Sequence, residues 1–251
     1  MRPARVRLDL LLVHRTLASS RERARALILA GRVSVDGRPL SKAGALVSAD
    51  ATIDLAADHP YVGRGGVKLA HALDAFGIVV EGRRALDIGA STGGFTDVLL
   101  QRGARSVVAL DVGHGQLDWT LRNDPRVTVI ERVNARHLEP AAVGAPVDLV
   151  TVDVSFISLR QILPVVPPLL APHADLVALV KPQFEAGRAE VGRRGIIADP
   201  QVQARVLDEV AAAAAVIGLV EQGRTASPIT GAEGNREFFL HLRQAHPPAV
   251  K

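Results

Sequence analysis

One stretch limits the fold more than any other. Asp87-Ile88-Gly89-Ala90-Ser91-Thr92-Gly93-Gly94-Phe95-Thr96 closes an apolar run that starts at Arg84, and it opens a helical pattern. A glycine-rich turn between a strand and a helix lets a ligand lie against bare backbone at the carboxyl edge of a parallel sheet. The surrounding chain has the matching rhythm. Val67 to Phe76 reads as a helix, and Arg84 to Ile88, Ser106 to Val112, Val127 to Ile130, Val147 to Val154 and Leu176 to Lys181 read as buried strands. Helical stretches are expected between them, and Pro200 to Ile217 is the last long one. This alternation predicts an α/β fold with a mostly parallel sheet and helices on both faces. Leu219 to Arg224 and Glu237 to Arg243 are expected to add two strands as an antiparallel edge.

The turn also has an acidic partner. Asp111 ends the next strand, 24 residues after Asp87, where it is placed to accept both hydroxyls of an adenosine ribose. Turn and carboxylate together predict an adenosine-containing cofactor. A nicotinamide-binding loop is the competing reading, but Gly89-x-Ser91-x-x-Gly94 carries serine where that motif has its second glycine. A plain tight turn is the remaining option.

Ahead of this region the sequence changes character. Residues 1 to 42 hold ten Lys/Arg against three acids, while the other residues hold 20 against 23. Clustered arginine is the electrostatic footprint of a phosphate-backbone binder, although a solvated helix face would look the same. Leu8, Leu11, Leu12 and Leu17 have near-helical spacing, and Ser19 with Glu22 reads as a capping box for a second helix, Ser20 to Ala30, closed by Gly31. Arg32 to Val35 alternates like a strand, Asp36-Gly37 is a hairpin turn signal, and Ala51 to Leu55 offers another strand. The expected organisation is a small α+β domain over residues 1–58, a linker over 59–64 and the large domain over 65–251.

Several functions drop out. Without cysteine there is no disulfide scaffold or thiolate metal site, and the eight histidines show no ligand spacing, so no metal is predicted. His71 and His241 read as packing or surface residues. The longest uncharged apolar runs, Val210 to Val220 and Ile162 to Pro172, have 11 residues each, short of the roughly 20 of a membrane span. Arg2, Arg5, Arg7 and Asp9 interrupt any signal-peptide core, and a cytoplasmic protein is the expectation.

Asp-x-Gly-x-x-x-Gly-Gly-Phe resembles the S-adenosylmethionine loop of ribose 2'-O-methyltransferases of the FtsJ/RrmJ type, and the first 55 residues or so resemble the S4 RNA-binding fold. With the runs Ser-Arg-Glu-Arg-Ala, Gly-Arg-Val-Ser-Val-Asp-Gly, Leu-Arg-Asn-Asp-Pro-Arg-Val, Asp-Val-Ser-Phe-Ile-Ser, Val-Lys-Pro-Gln-Phe-Glu and Gly-Asn-Arg-Glu-Phe-Phe, the chain is similar to the hemolysin A (TlyA) family of rRNA methyltransferases. The resemblance implies a Rossmann-like class I methyltransferase sheet. It also implies S-adenosylmethionine as cofactor and methylation of cytidine ribose in ribosomal RNA, in the large subunit with the small subunit as a further option. Its Lys-Asp-Lys-Glu tetrad falls here on Lys68, Asp153, Lys181 and Glu237. The implied cofactor contacts are Asp87, Gly89, Ser91, Gly93, Gly94 and Phe95 in the loop, Asp111 and Val112 after the second strand, and Asn134 with Ala135 at the adenine edge. The implied RNA contacts are Arg5, Arg7, Arg21 and Lys42, joined by Arg188. A monomer or weak oligomer acting on ribosomal subunits is the expected state.

The residue types support this chemistry. A ribose hydroxyl is a poor nucleophile, so a site must hold it in line with the methyl and help to remove its proton. Lysine is able to give up a proton; arginine stays charged. The chain has 26 arginines and only four lysines, yet two of the four are Lys68 and Lys181. Lys181 is expected to serve as base or hydroxyl-positioning group with the Lys68 charge close by, and Asp153 and Glu237 to orient the amines. Aromatics make up 3% of the chain, which favours recognition of RNA by shape and backbone over base stacking. A non-catalytic ribosome-assembly factor, a pore former and a small-molecule methyltransferase are the alternatives; an intact tetrad, short apolar runs and the basic first domain respectively disfavour them.

Overall fold

Arginine and valine alternate in the first described strand. Strand β1 (Arg5–Arg7) runs directly into helix α1 (Leu8–His14), which buries Leu8, Leu11 and Leu12 on one face. The computed structural model describes residues 4–29, 31–55, 60–144, 146–187, 190–192 and 195–245. The chain divides into two compact units, Met1–Arg64 and Gly65–Lys251.

In the first unit, α2 (Arg21–Leu29) packs Ala24, Leu27 and Ile28 inward. Its cap is Ser20, one residue beyond the expected Ser19: the Ser20 hydroxyl accepts the Arg23 N–H at 3.1 Å and so satisfies one orphan donor of the first turn. Strand β2 (Val33–Val35) turns through Asp36 and Gly37, both at positive φ as a two-residue hairpin demands, into β3 (Arg38–Pro39). Strand β4 (Leu46–Ser48) pairs antiparallel with β1, and β5 (Ile53–Leu55) with β2. Two small sheets result, β1-β4 and β3-β2-β5. The β1-β4 pair is not apparent in the sequence, because three-residue strands with exposed arginines leave no apolar alternation to read. Residues 56–59, the end of the expected first domain and the start of the expected linker, lie outside the described residues.

The second unit opens with α3 (Gly65–Phe76), followed by β6 (Arg84–Ile88), α4 (Gly94–Gln101), β7 (Ser106–Asp111), α5 (Trp119–Arg122), β8 (Val127–Glu131), α6 (Pro140–Val143) and β9 (Val147–Val152). Then come β10 (Leu170–Val180), α7 (Pro182–Glu185), α8 (Pro200–Val216), β11 (Leu219–Ala226) and β12 (Phe238–Gln244). The seven strands are ordered β11-β12-β10-β9-β6-β7-β8. Five run parallel, while β12 is antiparallel to β10 and β11 antiparallel to β12, giving the expected antiparallel edge. Between β9 and β10 the expected helix is replaced by three single-turn 3-10 helices, since Pro164, Pro167 and Pro168 remove the donors a longer helix needs. The inner parallel strands β6, β7, β9 and β10 are buried on both faces, with Leu86, Ile88, Val150, Val152 and Leu176 at the centre, while the edge strand β8 is partly exposed. The order reverses at β6, so the loops after β6 and β9 diverge there and leave a crevice at the carboxyl edge.

Candidate active site

That crevice is a cleft of about 520 Å³, walled by the turns after β6, β7, β8 and β9. Its floor depends on one glycine. Gly89 sits at φ +87, and a Cβ there would lie 2.2 Å from the carbonyl oxygen of Asp153, so only hydrogen fits where the two turns meet. Across the cleft Asp111 fastens both neighbouring turns: Oδ2 accepts the Ser91 N–H at 2.8 Å, and Oδ1 accepts the Gly113 N–H at 2.6 Å. Asn134 caps the short turn that follows β8 by accepting the Arg136 N–H at 3.1 Å. Gly89, Ser91, Asp111, Val112, Asn134, Ala135 and Asp153 all contribute to the wall, as a ligand-contact role requires.

Four expected cofactor contacts stand elsewhere. Asp87 is wholly buried beneath the loop, with Thr96 Oγ1 donating to it at 2.7 Å and Thr151 Oγ1 at 2.9 Å. Burial pushes its carboxyl up to about 7 against the pull of the two hydroxyls, and the nearby Asp153 charge adds to the rise. Gly93 takes φ +99 at the start of α4, where a Cβ would overlap Leu121 and Leu117. Gly94 is buried in the first turn, and Phe95 is buried with its ring 6.2 Å from that of Phe239. These residues shape the loop from beneath, and the Phe95 ring packs beside Gly65, where a Cβ would lie 3.4 Å from it and 3.9 Å from Asp153 Oδ2.

The four tetrad positions form two ion pairs. Lys68, on α3, has its Nζ 2.5 Å from Glu237 Oε2, just ahead of β12. Lys181, one residue past β10, has its Nζ 2.6 Å from Asp153 Oδ1, one residue past β9. Each ammonium thus has its own carboxylate, which offsets the repulsion expected between two bare amines. The pairs are neighbours: a Cβ on Gly65, one helical turn before Lys68, would lie 3.9 Å from Asp153 Oδ2. Glu237 is in turn crowded by backbone, because a Cβ on Gly231 would come 2.5 Å from its Oε1. Lys68, Lys181 and Glu237 are buried, and Asp153 is the member that lines the cleft.

The FtsJ-like methyltransferase family model matches residues 61–244, and the S4 domain model matches residues 6–53. The chain belongs to the FtsJ-like methyltransferase family. It is 53% identical over 241 residues to the 16S/23S rRNA (cytidine-2'-O)-methyltransferase TlyA of Mycobacterium tuberculosis, covering 95% of this chain and 90% of that one. It is 44% identical to Hemolysin A of Brachyspira hyodysenteriae, over 94% of this chain and 99% of that one. A solved chain from Streptococcus thermophilus, provisionally described as a hemolysin, superposes with a TM-score of 0.77 at 42% identity, covering 99% of this chain and 91% of its own.

In this methyltransferase the basic positions of the S4 unit are held in distinct ways. Arg7 donates to both oxygens of Asp9 at 2.9 Å, and Arg21 Nε donates to Oδ2 at 2.9 Å. Asp9 is fully buried, and the two guanidiniums hold its carboxyl well below the usual range. Arg5 donates to the Leu46 carbonyl at 3.0 Å, and Lys42 is exposed. Arg188 lies outside the described residues. His241 is buried against Phe76 and bonded to Asp175, a packing role.

Sequence reasoning missed other wall residues of the methyltransferase cleft: Gln116, whose Oε1 lies 3.3 Å from Ser91 Oγ, Arg136, Ser155 and Phe156. The run containing Ser155 and Phe156 is visible in the sequence, but only its aspartate carries a charge that marks it.

Proposed function

We propose that this chain transfers the methyl group of S-adenosylmethionine to the 2'-hydroxyl of a cytidine in ribosomal RNA. One observation carries the reading: Asp153 belongs at once to the cleft wall and to the Lys181 ion pair, so a titratable amine is coupled to the place where a ligand fits. The relative from Mycobacterium tuberculosis, matched along nearly its whole length, supports cytidine ribose as acceptor.

The residues present fit the cofactor. A cleft of about 520 Å³ suits a nucleoside-sized ligand, and Asp111 keeps carboxylate lone pairs for the ribose hydroxyls. Gly89 and Ser91 would bring backbone close to it, with Val112, Asn134 and Ala135 around the base. When bound, the cofactor supplies an electrophilic methyl on a sulfonium.

Everything else falls to the protein. Lys181 holds the acceptor hydroxyl and accepts or relays its proton, which arginine could not do. Asp153 orients that amine and limits the positive charge beside the sulfonium. Lys68 and Glu237 form the second pair, fixing α3 against the residue ahead of β12. Arg5, Arg7, Arg21, Lys42 and Arg188 would meet phosphates, which position RNA without reading its sequence. The reading places an RNA-binding domain at 1–58, a linker at 59–64 and the transferase domain at 65–251, in a cytoplasmic monomer or weak oligomer acting on ribosomal subunits. Among the described residues no helix is long and apolar enough to cross a membrane.

The test is transfer of labelled methyl onto separated, unmodified 30S and 50S subunits. Lys181→Ala should abolish transfer and leave cofactor binding nearly intact. Normal single-turnover transfer by that variant would remove the role assigned to Lys181.

A further inference from the structure

Lys181 does not itself line the cleft. Its ammonium reaches that space through two residues that do, Asp153 and Ser155, and the two contacts differ in kind. The approach of Nζ to Asp153 Oδ1 is an ion pair without hydrogen-bond alignment, since that buried oxygen has no hydrogen-bond partner. The aligned contact goes to Ser155, whose Oγ accepts from Nζ at 2.8 Å. An ion pair is nearly isotropic, whereas a hydrogen bond fixes direction. Ser155 therefore adds a directional contact to the ion pair.

The segment that carries Ser155 is itself fixed at both ends. At its start the Asp153 N–H donates to the Ile88 carbonyl at 2.9 Å. At its end Glu185, buried on α7, accepts from Ser158 Oγ at 2.5 Å and from the Leu159 N–H at 2.6 Å. Between these anchors Phe156 takes φ +63, a left-handed conformation that is strained for a bulky residue and persists only where its surroundings enforce it. The segment is thus tied to the Lys181 helix by Glu185 and to Lys181 itself by Ser155. Two attachments, four residues apart on each side, leave little freedom for Nζ to swing.

We infer that Ser155 is a further positioning residue for the transfer reaction: its hydroxyl holds the Lys181 amine at the cleft wall. The hydroxyl accepts from Nζ and keeps its own proton to donate toward the cleft, so it links the amine to an acceptor oxygen lying there. This rests on the methyl-transfer reading above.

Ser155 is exposed, so branched replacements have room. Threonine and valine have nearly the same shape and differ in the hydroxyl. Single-turnover and steady-state transfer to unmodified 30S and 50S subunits should be compared for the full-length protein, Ser155→Thr and Ser155→Val, with cofactor affinity measured by calorimetry. The expected result is near-normal transfer by Ser155→Thr and a ~10- to 100-fold lower kcat for Ser155→Val, with KM for RNA and cofactor affinity unchanged. Equal rates for the two variants, fast or slow, would overturn the inference, because shape rather than the hydroxyl would then set the rate. So would a loss that falls in KM or cofactor affinity alone. If the unaltered protein transfers no methyl to either subunit, the methyl-transfer reading fails first, and the inference goes with it.

Discussion

Asp153 Oδ1 lies 2.6 Å from Lys181 Nζ, and Asp153, unlike Lys181, stands on the wall of the cleft. The carboxylate therefore couples the amine to the cleft. Lys181→Arg keeps the charge and the partner but replaces a titratable amine with a permanently protonated fork. It should lower single-turnover methyl transfer ~100-fold or more, the scale of a lost general base, with cofactor affinity retained in calorimetry. A Lys181→Arg protein transferring at the normal rate would show that fixed charge suffices.

The Lys68–Glu237 pair separates folding from chemistry. Both side chains are nearly inaccessible, at 11% and 4% exposure, so deleting one partner strands the other charge. Lys68→Met is expected to cost about 3 kcal/mol in urea unfolding. The double variant Lys68→Met with Glu237→Gln leaves no charge at either position and should recover most of that stability. If the pair serves only the fold, activity will return with stability; if it serves the reaction, transfer will stay low in the recovered protein.

What the sequence disclosed, and what it hid, follows from how far each signal reaches. Buried strands such as Val107 to Leu110 and Leu176 to Val180 are continuous apolar runs, and a glycine-rich turn follows Arg84 to Ile88, so the sheet and its ligand edge were legible. The tetrad positions came from the family resemblance, and the scarcity of lysine agreed with them. The direction of the Phe95 ring was hidden because a motif position says nothing about which way a helix faces; the ring lies 6.2 Å from that of Phe239. Ser155 was invisible for the opposite reason. A serine two residues after an acid obeys no spacing rule, and its bond to Lys181 spans 26 residues of sequence. Strands β1 and β4 were missed because their pairing is long-range and their own residues alternate weakly.

Asp87 makes the large unit less stable as pH rises from acid to neutral. With a carboxyl pushed up to about 7, the folded chain keeps its proton while the unfolded chain releases it near the ordinary value, 3.8. Below about pH 4 both forms are protonated and stability is unaffected. Between about pH 4 and 7 the unfolded state alone ionises, so stability falls as pH rises, by up to ~4 kcal/mol in total. Asp87→Asn stays neutral and still accepts from a threonine hydroxyl. It should flatten that slope and exceed the unaltered protein in urea unfolding at pH 8. Identical slopes for both proteins would mean that the buried carboxyl is ionised throughout.

The arginines of the S4 unit act in two capacities, and salt distinguishes them. Arg7 and Arg21 share the buried Asp9, so part of their charge is already compensated and both brace the start of α1. Lys42 is exposed on the segment between β3 and β4. A phosphate contact releases counterions, and removing one lowers the slope of log affinity against log salt by about 1 while weakening all sequences alike. Lys42→Gln should do this without altering thermal unfolding. Arg21→Gln should reduce binding and also destabilise the unit, by an amount that is complete above about pH 4 and shrinks as pH falls further, because Asp9, which ionises well below the usual range, then loses the charge that Arg21 stabilises. Filter binding to unmodified 50S subunits at several salt concentrations, beside thermal melts at about pH 3 and 7, measures both. A Lys42→Gln protein with an unchanged salt slope would take that lysine out of the RNA interface, and an Arg21→Gln protein that melts normally would show that Arg7 alone satisfies Asp9.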